Sequence, residues 1–272
     1  MPAESDVPQS GGSSNLDPWA TLRRATRARI GLGRVGDALP LNDVLDFQLA
    51  HARARDAVHA PLDIATVTNA LDALLSPTIL VASAAVDRPT YLRRPDLGRQ
   101  LAPASGNALQ RLGATWDGGW DAVFVVADGL SSVGAQRHAV PLIASCLTRL
   151  GGWSIAPGVV ATQARVALGD EIGAALGARI CVMLIGERPG LTVSDSLGVY
   201  LTYDPKRGRR DSERNCISNI HEDGLSYDEA ADLLVWLMGE SRRRKLTGVE
   251  LKDQRNAPRA LGGPSGEGDA QK

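Results

Sequence analysis

Apolar residues follow two different patterns along this chain, and the changeover lies near residue 115. Before it they recur at helical spacing. Between Leu41 and His59, the residues Val44, Leu45, Leu49 and Ala52 share one face of a 3.6-residue period. A basic amphipathic stretch, Trp19 to Ile30, follows Asp17-Pro18, an N-cap with proline at the first helical position. Ile64 to Leu75 predicts a third helix and Thr78 to Ser83 a short β-like run. Tyr91 to Leu112 reads as irregular and helical, rich in arginine. After Trp116-Asp117-Gly118-Gly119-Trp120 the apolar runs become continuous. Ala122–Ala127 (AVFVVA), Val159–Thr162, Ile180–Ile185 (ICVMLI) and Val199–Tyr203 have strand length. Helices alternate with them: Ser131 to Leu150, a short one around Glu171 to Leu176 that Gly177 ends, and Tyr227 to Arg244 after Ser226. The last turns Ala230, Leu233, Leu234 and Leu237 inward. Strands apolar on both faces, alternating with helices, predict a sheet covered on both sides.

The expected fold class is therefore α/β, a helical N-terminal part followed by a Rossmann-like, mostly parallel sheet covered by helices. The expected organisation is a disordered tail over 1–15, a mainly helical region over 16–114, an α/β domain over 115–253 and a second disordered tail over 254–272. Both tails are rich in Ser, Gly and Pro and lack an apolar pattern.

Composition narrows the function classes. The chain has 272 residues, with 30 basic and 31 acidic side chains. Such a balance argues against a general nucleic-acid binder. The three cysteines, Cys146, Cys181 and Cys216, are widely spaced and form no zinc pattern. They read as reduced thiols of a cytosolic protein. No apolar run approaches the roughly 20 residues that span a bilayer, and the N-terminus shows no secretory pattern.

Several short motifs invite a chemical reading. Gly31-Leu32-Gly33-Arg34-Val35-Gly36 matches the dinucleotide fingerprint letter for letter, with Asp56 further on. That fingerprint needs a strand before it and a helix opening at it. Here a charged helix precedes it, so a helix-ending turn is expected. His51, Arg55 and His59 share a helical face, but two turns separate the histidines, about 12 Å along the axis, which is too far to chelate one metal. They read as solvated or interface-facing. Asp128 ends the first strand of the α/β part, as a turn aspartate or as a polar group at the sheet's binding edge. Asn219-x-His221-x-x-Gly224 nearly matches a cobalt-ligating D-x-H-x-x-G motif. It lacks the aspartate that would orient the imidazole.

Two segments stand out: Gly186-Glu187-Arg188-Pro189-Gly190-Leu191 and Asn215-Cys216-Ile217-Ser218-Asn219-Ile220. They place a glutamate and a lone cysteine where strands are expected to end, and ligands of open α/β sheets bind outside the carboxyl ends of the strands. Glu187 can accept hydrogen bonds from ligand amides or pair with a nearby arginine such as Arg188. Cys216 can pack, or act as a nucleophile with His221 as its base. No G-x-S-x-G elbow, Walker A loop or H-E-x-x-H is present, and no catalytic constellation is complete.

At these residues the chain resembles the light chain (small subunit) of ethanolamine ammonia-lyase, from Asp17 to about Asp253. The resemblance is carried by LRRATRARIGLGRVGDALPLNDVLDFQLAHARARDAVH, YLRRPDLGRQL, VVADGLSS, RVALGDEIG, LIGERPGL, SLGVYLTYDP and NCISNI, in that order. It implies a subunit of an adenosylcobalamin-dependent carbon–nitrogen lyase that converts ethanolamine to acetaldehyde and ammonia. The catalytic residues are then expected on the partner, a TIM-barrel large subunit, and none on this chain. By matching motif, the implied cofactor contacts are Val166, Glu187 and Cys216, with no protein metal ligand, because the dimethylbenzimidazole stays on cobalt. A cytoplasmic hetero-oligomer is expected. Family members can carry an N-terminal segment that directs the complex into a bacterial microcompartment, but Met1 to Asn15 shows no amphipathic helix. Two other readings remain open: a free-standing α/β enzyme using Cys216 and His221, and a non-catalytic scaffold module.

Overall fold

The computed structural model describes residues 17–26, 28–115 and 118–254. The tails expected at either end lie outside the described residues. The chain divides into two compact units, Met1–Arg53 and Ala54–Lys272.

The first unit holds α1 (Ala20–Ala25) and the start of α2 (Leu41–His59). Where the sequence predicts one helix from Trp19 to Ile30, α1 stops at Ala25. Thr26 is extended, and Arg23 reaches along the chain to the Ile30 carbonyl at 3.1 Å, which folds the segment back. The G-x-G-x-x-G segment is not a strand-to-helix turn. Gly31, Gly33 and Gly36 all have positive φ, and Val35 and Ala38 form a small antiparallel bridge. Contrary to the expected helix-ending turn, the glycines do not end α1, which stops at Ala25; they shape the loop that follows it. Further along α2, His51, Arg55 and His59 are exposed.

The second unit is built on one six-stranded sheet in the order β1-β3-β2-β4-β5-β6. Its strands are β1 (Ile79–Ala82), β2 (Trp120–Ala127), β3 (Val159–Thr162), β4 (Ala178–Gly186), β5 (Leu197–Tyr203) and β6 (Asn215–Ile220). β1, β3, β2 and β4 are parallel; β5 is antiparallel to β4 and to β6. Strand β1 belongs to this sheet, paired along its length with β3. The boundary expected near residue 115 therefore does not separate a helical region from the sheet, whose unit begins at Ala54. Only pairing with a strand 80 residues away reveals this, and local pattern carries no sign of it.

Alternation along the strands sorts the core into two layers. Ala122, Phe124 and Val126 face a layer made with α3 (Ile64–Asp72), α6 (Ser132–Leu147) and α8 (Tyr227–Arg244). Val123, Val125 and Ala127 face the other, made with α5 (Pro103–Gly113) and α7 (Leu168–Leu176). A short α4 (Arg88–Arg93) lies between β1 and α5. Caps fix the helix starts: Ser131 accepts from the Gly134 amide, and Ser226 with Glu229 forms a capping box. Gly177 ends α7 in the left-handed conformation.

β2 leads into α6 on one side of the sheet, and the neighbouring β3 leads into α7 on the other. Divergence of this kind opens a crevice at the carboxyl ends of two adjacent strands. Asp128 closes it. Its carboxylate accepts from the Gln163 and Ala164 amides, at 2.8 and 3.0 Å, and faces Arg88 at 3.5 Å. Burial pushes this carboxyl up against the pull of those amides. Asp128 is thus a turn aspartate, but the amides it bonds belong to the neighbouring strand's exit.

Candidate functional site

NCISNI is a complete strand rather than a strand end. Only Ile217 and Ile220 of β6 are buried, and a bulge between β5 and β6 breaks the register. Cys216 therefore stands near the start of the edge strand, opposite Tyr200 of β5. The carboxyl end of β6, at Ile220, pairs with Leu197, and Leu197 pairs with Gly186 at the end of β4. Glu187 and the end of β6 thus share one rim of the sheet, with Cys216 a few residues below it.

Three neighbouring elements position Glu187. Its amide donates to the Ser196 carbonyl at 3.0 Å, and its Oε2 accepts from the Asn219 amide at 3.3 Å. The carboxylate lies over Gly198 of β5, where a Cβ would stand 3.0 Å from Oε1. Gly198, Tyr200 and Thr202 alternate with the core residues Leu197, Val199 and Leu201, so Glu187 lies on the α7 side of the sheet. No ion pair between Glu187 and Arg188 forms among the described residues.

On the same side the Cys216 thiol and the Tyr200 hydroxyl, on register partners, shift each other's protonation. Burial against its neighbours pushes the thiol up, the Tyr200 contact pulls it down, and the Glu187 charge adds to the rise. Burial also raises the Tyr200 hydroxyl to about 12, with Cys216 and Glu187 contributing. Val166, at the start of α7, packs on the same core layer as Tyr200. Val166, Glu187 and Cys216, which come from three separate segments, therefore line one side of the sheet. Tyr200 joins them. Sequence reading missed it, although the alternation in Leu197–Tyr203 carried the signal.

On this ledge Cys216 is exposed, and Val166, Glu187 and Tyr200 are half-buried. Two hollows of about 350 and 560 Å³ elsewhere on this unit are lined by other residues. Beside the ledge, a buried ion pair ties β6 to α7: Arg214 donates to both Asp170 oxygens, at 2.6 and 2.7 Å, and to Thr202 at 2.9 Å. Burial opposes the charge of Arg214, but the hydrogen bonds and charge of Asp170, with those of Asp211, together outweigh it and raise the guanidinium.

His221 does not complete a nucleophile pair with Cys216. Its Nε2 faces the Asn219 side-chain oxygen at 2.9 Å, and its Nδ1 accepts from the Asp223 amide at 3.3 Å. A Cβ at Gly224 would come within 2.7 Å of the ring. The N-x-H-x-x-G segment is a closed turn in which glycine leaves room for the imidazole. A raised thiol is also the opposite of what nucleophilic activation needs. Among the described residues no three His, Cys, Asp or Glu side chains are grouped to hold a metal, and no helix is long and apolar enough to cross a membrane. The ledge therefore offers one carboxylate acceptor, a protonated thiol, a phenol and an apolar side chain. That set can accept hydrogen bonds from a ligand's polar groups and pack against its apolar parts.

Comparison with known proteins places the sequence of this chain in a family. A family model described as ethanolamine ammonia-lyase light chain matches residues 16–252. The ethanolamine ammonia-lyase small subunit of Pseudomonas fluorescens (strain Pf0-1) is 52% identical over 240 residues, covering 88% of each chain. That of Azotobacter vinelandii is 52% identical over 254 residues, covering 93% of this chain and 94% of its own. That of Ralstonia nicotianae is 52% identical over 244 residues, covering 89% and 90%. The chain belongs to the ethanolamine ammonia-lyase light chain family.

Proposed function

We propose that this chain is the small subunit of an adenosylcobalamin-dependent ethanolamine ammonia-lyase, which converts ethanolamine to acetaldehyde and ammonia. The ledge on the α7 side of the sheet is its share of the cobalamin site, and a TIM-barrel large subunit supplies the catalytic residues. The observation that carries this reading is that Val166, Glu187 and Cys216, from three separate segments, lie on the same, α7 side of the sheet. Membership in the light chain family supports it. When bound, cobalamin supplies radical chemistry through homolysis of its cobalt–carbon bond. The residues of this chain bind, orient and shield. Glu187 accepts hydrogen bonds from amide side chains of the corrin. The Cys216 thiol, kept protonated, is available as a weak donor, and Val166 contributes an apolar contact. The reading places the hetero-oligomer in the cytoplasm.

The free-standing enzyme reading loses its base, because both ring nitrogens of His221 are engaged in its own turn. The scaffold reading predicts partner binding without cofactor dependence. One experiment separates all three. The chain is purified with and without its large subunit, and adenosylcobalamin-dependent ammonia release is measured alongside cobalamin binding by spectroscopic titration. The proposal expects activity only from the complex and weaker cobalamin binding in Glu187→Gln. Activity from this chain alone, full activity from the large subunit alone, or unchanged cobalamin affinity in Glu187→Gln would overturn it.

A further inference from the structure

Arg165 leaves the end of β3 immediately before Val166. Its stem crosses Gly98, where a Cβ would meet the Arg165 Cγ at 2.9 Å, and its guanidinium lies over the Tyr91 ring, 4.3 Å from the centroid. Tyr91 is wholly buried and fixed by its hydroxyl, which donates to the Ala164 carbonyl at 3.0 Å. Arg88 stacks near the same ring, 4.8 Å from the centroid.

The two arginines are used differently. Arg88 donates to the Val58 and Gly129 carbonyls, both at 2.8 Å, and its charge faces Asp128. Its charge is thus countered within the fold, although its Nη2 is buried without a partner. Arg165 makes no ion pair among the described residues, and its Nε is buried with no hydrogen-bond partner. The guanidinium is held by stacking, yet no charge among the described residues neutralises it. A planar fork held in this way matches the oxygens of a phosphate or carboxylate, and a stacked arginine loses little freedom on binding one.

We propose that Arg165 is an anion contact of the ledge and receives the phosphodiester of the cobalamin nucleotide. This rests on the cobalamin reading above. The side groups of the corrin are amides, which Glu187 and Cys216 suit. The phosphodiester is the fixed negative charge of the ligand, and Arg165 is the unneutralised cation beside Val166.

The test uses the assembled enzyme, with equilibrium binding of two probes measured by spectroscopic titration. Cobalamin carries the phosphodiester; cobinamide has the same corrin amides without it. Arg165→Gln weakens cobalamin binding by roughly tenfold, the scale of a charge-assisted hydrogen bond, and leaves cobinamide binding unchanged. Arg165→Lys keeps the charge, loses the fork and weakens cobalamin binding by a smaller factor, again without affecting cobinamide. Equal weakening of both probes, or no change in either, overturns the inference. So does weaker subunit association without cobalamin, which would assign Arg165 to a carboxylate of the large subunit. Wild-type enzyme that binds neither probe would instead overturn the cobalamin reading itself.

Discussion

Tyr200 and Cys216 stand opposite each other on β5 and β6, and on the α7 side of the sheet the phenol and the thiol shift each other's protonation. Tyr200 thereby offsets part of the rise that burial imposes on an exposed cysteine of the edge strand.

The first prediction concerns that thiol. Burial raises it, Tyr200 opposes the rise and Glu187 reinforces it. Cys146 and Cys181 are buried and raised further by burial. In this chain Cys216 should therefore be the cysteine that alkylates, with a pH midpoint above that of a free thiol. Glu187→Gln should move the midpoint down and Tyr200→Phe should move it up. Alkylation rates followed by mass spectrometry across pH 7 to 10 measure this. A midpoint below the ordinary thiol value in the wild type would contradict the arrangement.

The second concerns the Asp170–Arg214 pair, whose side chains are 3% and 2% exposed. Asp170→Asn leaves a buried guanidinium with only the exposed Asp211, at 3.5 Å, as counter-charge and should cost about 3–5 kcal/mol. Replacing both residues together, Asp170→Leu with Arg214→Met, removes both desolvated charges and should cost less than Asp170→Asn alone. Urea unfolding of the two variants makes the comparison. A double variant less stable than the single one would show that the ion pair itself stabilises the β6 edge.

What the sequence revealed and what it concealed have physical reasons. AVFVVA and ICVMLI read as strands because both of their faces are buried, so a continuous apolar run has no competing explanation. NCISNI concealed itself because an edge strand buries one face and a bulge breaks even that alternation. Asp170 and Arg214 are 44 residues apart, and no local pattern connects them. Tyr200 lay within a strand that was recognised, yet its role depends on which face β6 presents. Val166, Glu187 and Cys216 were named by resemblance; only the folded sheet brings them to one side.

The third prediction is a pH dependence. His138 is buried, with Nδ1 2.7 Å from the Tyr227 hydroxyl and Nε2 3.9 Å from Asp195. Burial pushes its pKa below the ordinary 6.5; Asp195 pulls it back, while Arg137 and His221 add to the fall. The folded state therefore binds this proton less readily than the unfolded chain. The stability that follows is fully present above pH 6.5 and is lost as pH falls through the depressed folded value. The slope contributed is at most about 1.4 kcal/mol per pH unit. Urea midpoints between pH 7.5 and 5 should fall more steeply in the wild type than in His138→Gln. Equal slopes would remove His138 as the cause.

The last prediction tests whether the position of the Glu187 carboxylate matters or only its charge. Gly198 leaves the space that the carboxylate occupies. An added Cβ would stand 3.0 Å from Oε1 and 3.2 Å from Cγ, closer than side chains ordinarily pack. Gly198→Ala should therefore displace the carboxylate by a few tenths of an ångström, at a strain of roughly 1 kcal/mol, without touching its charge. In the assembled enzyme this variant should weaken cobalamin binding. In a Glu187→Gln background, where the charged acceptor is already gone, adding Gly198→Ala should change little further. Such non-additivity is the signature of two substitutions acting through one contact. If the two effects simply add, Gly198 shapes the ledge independently of Glu187, and the carboxylate is not the group that β5 holds in place for the ligand.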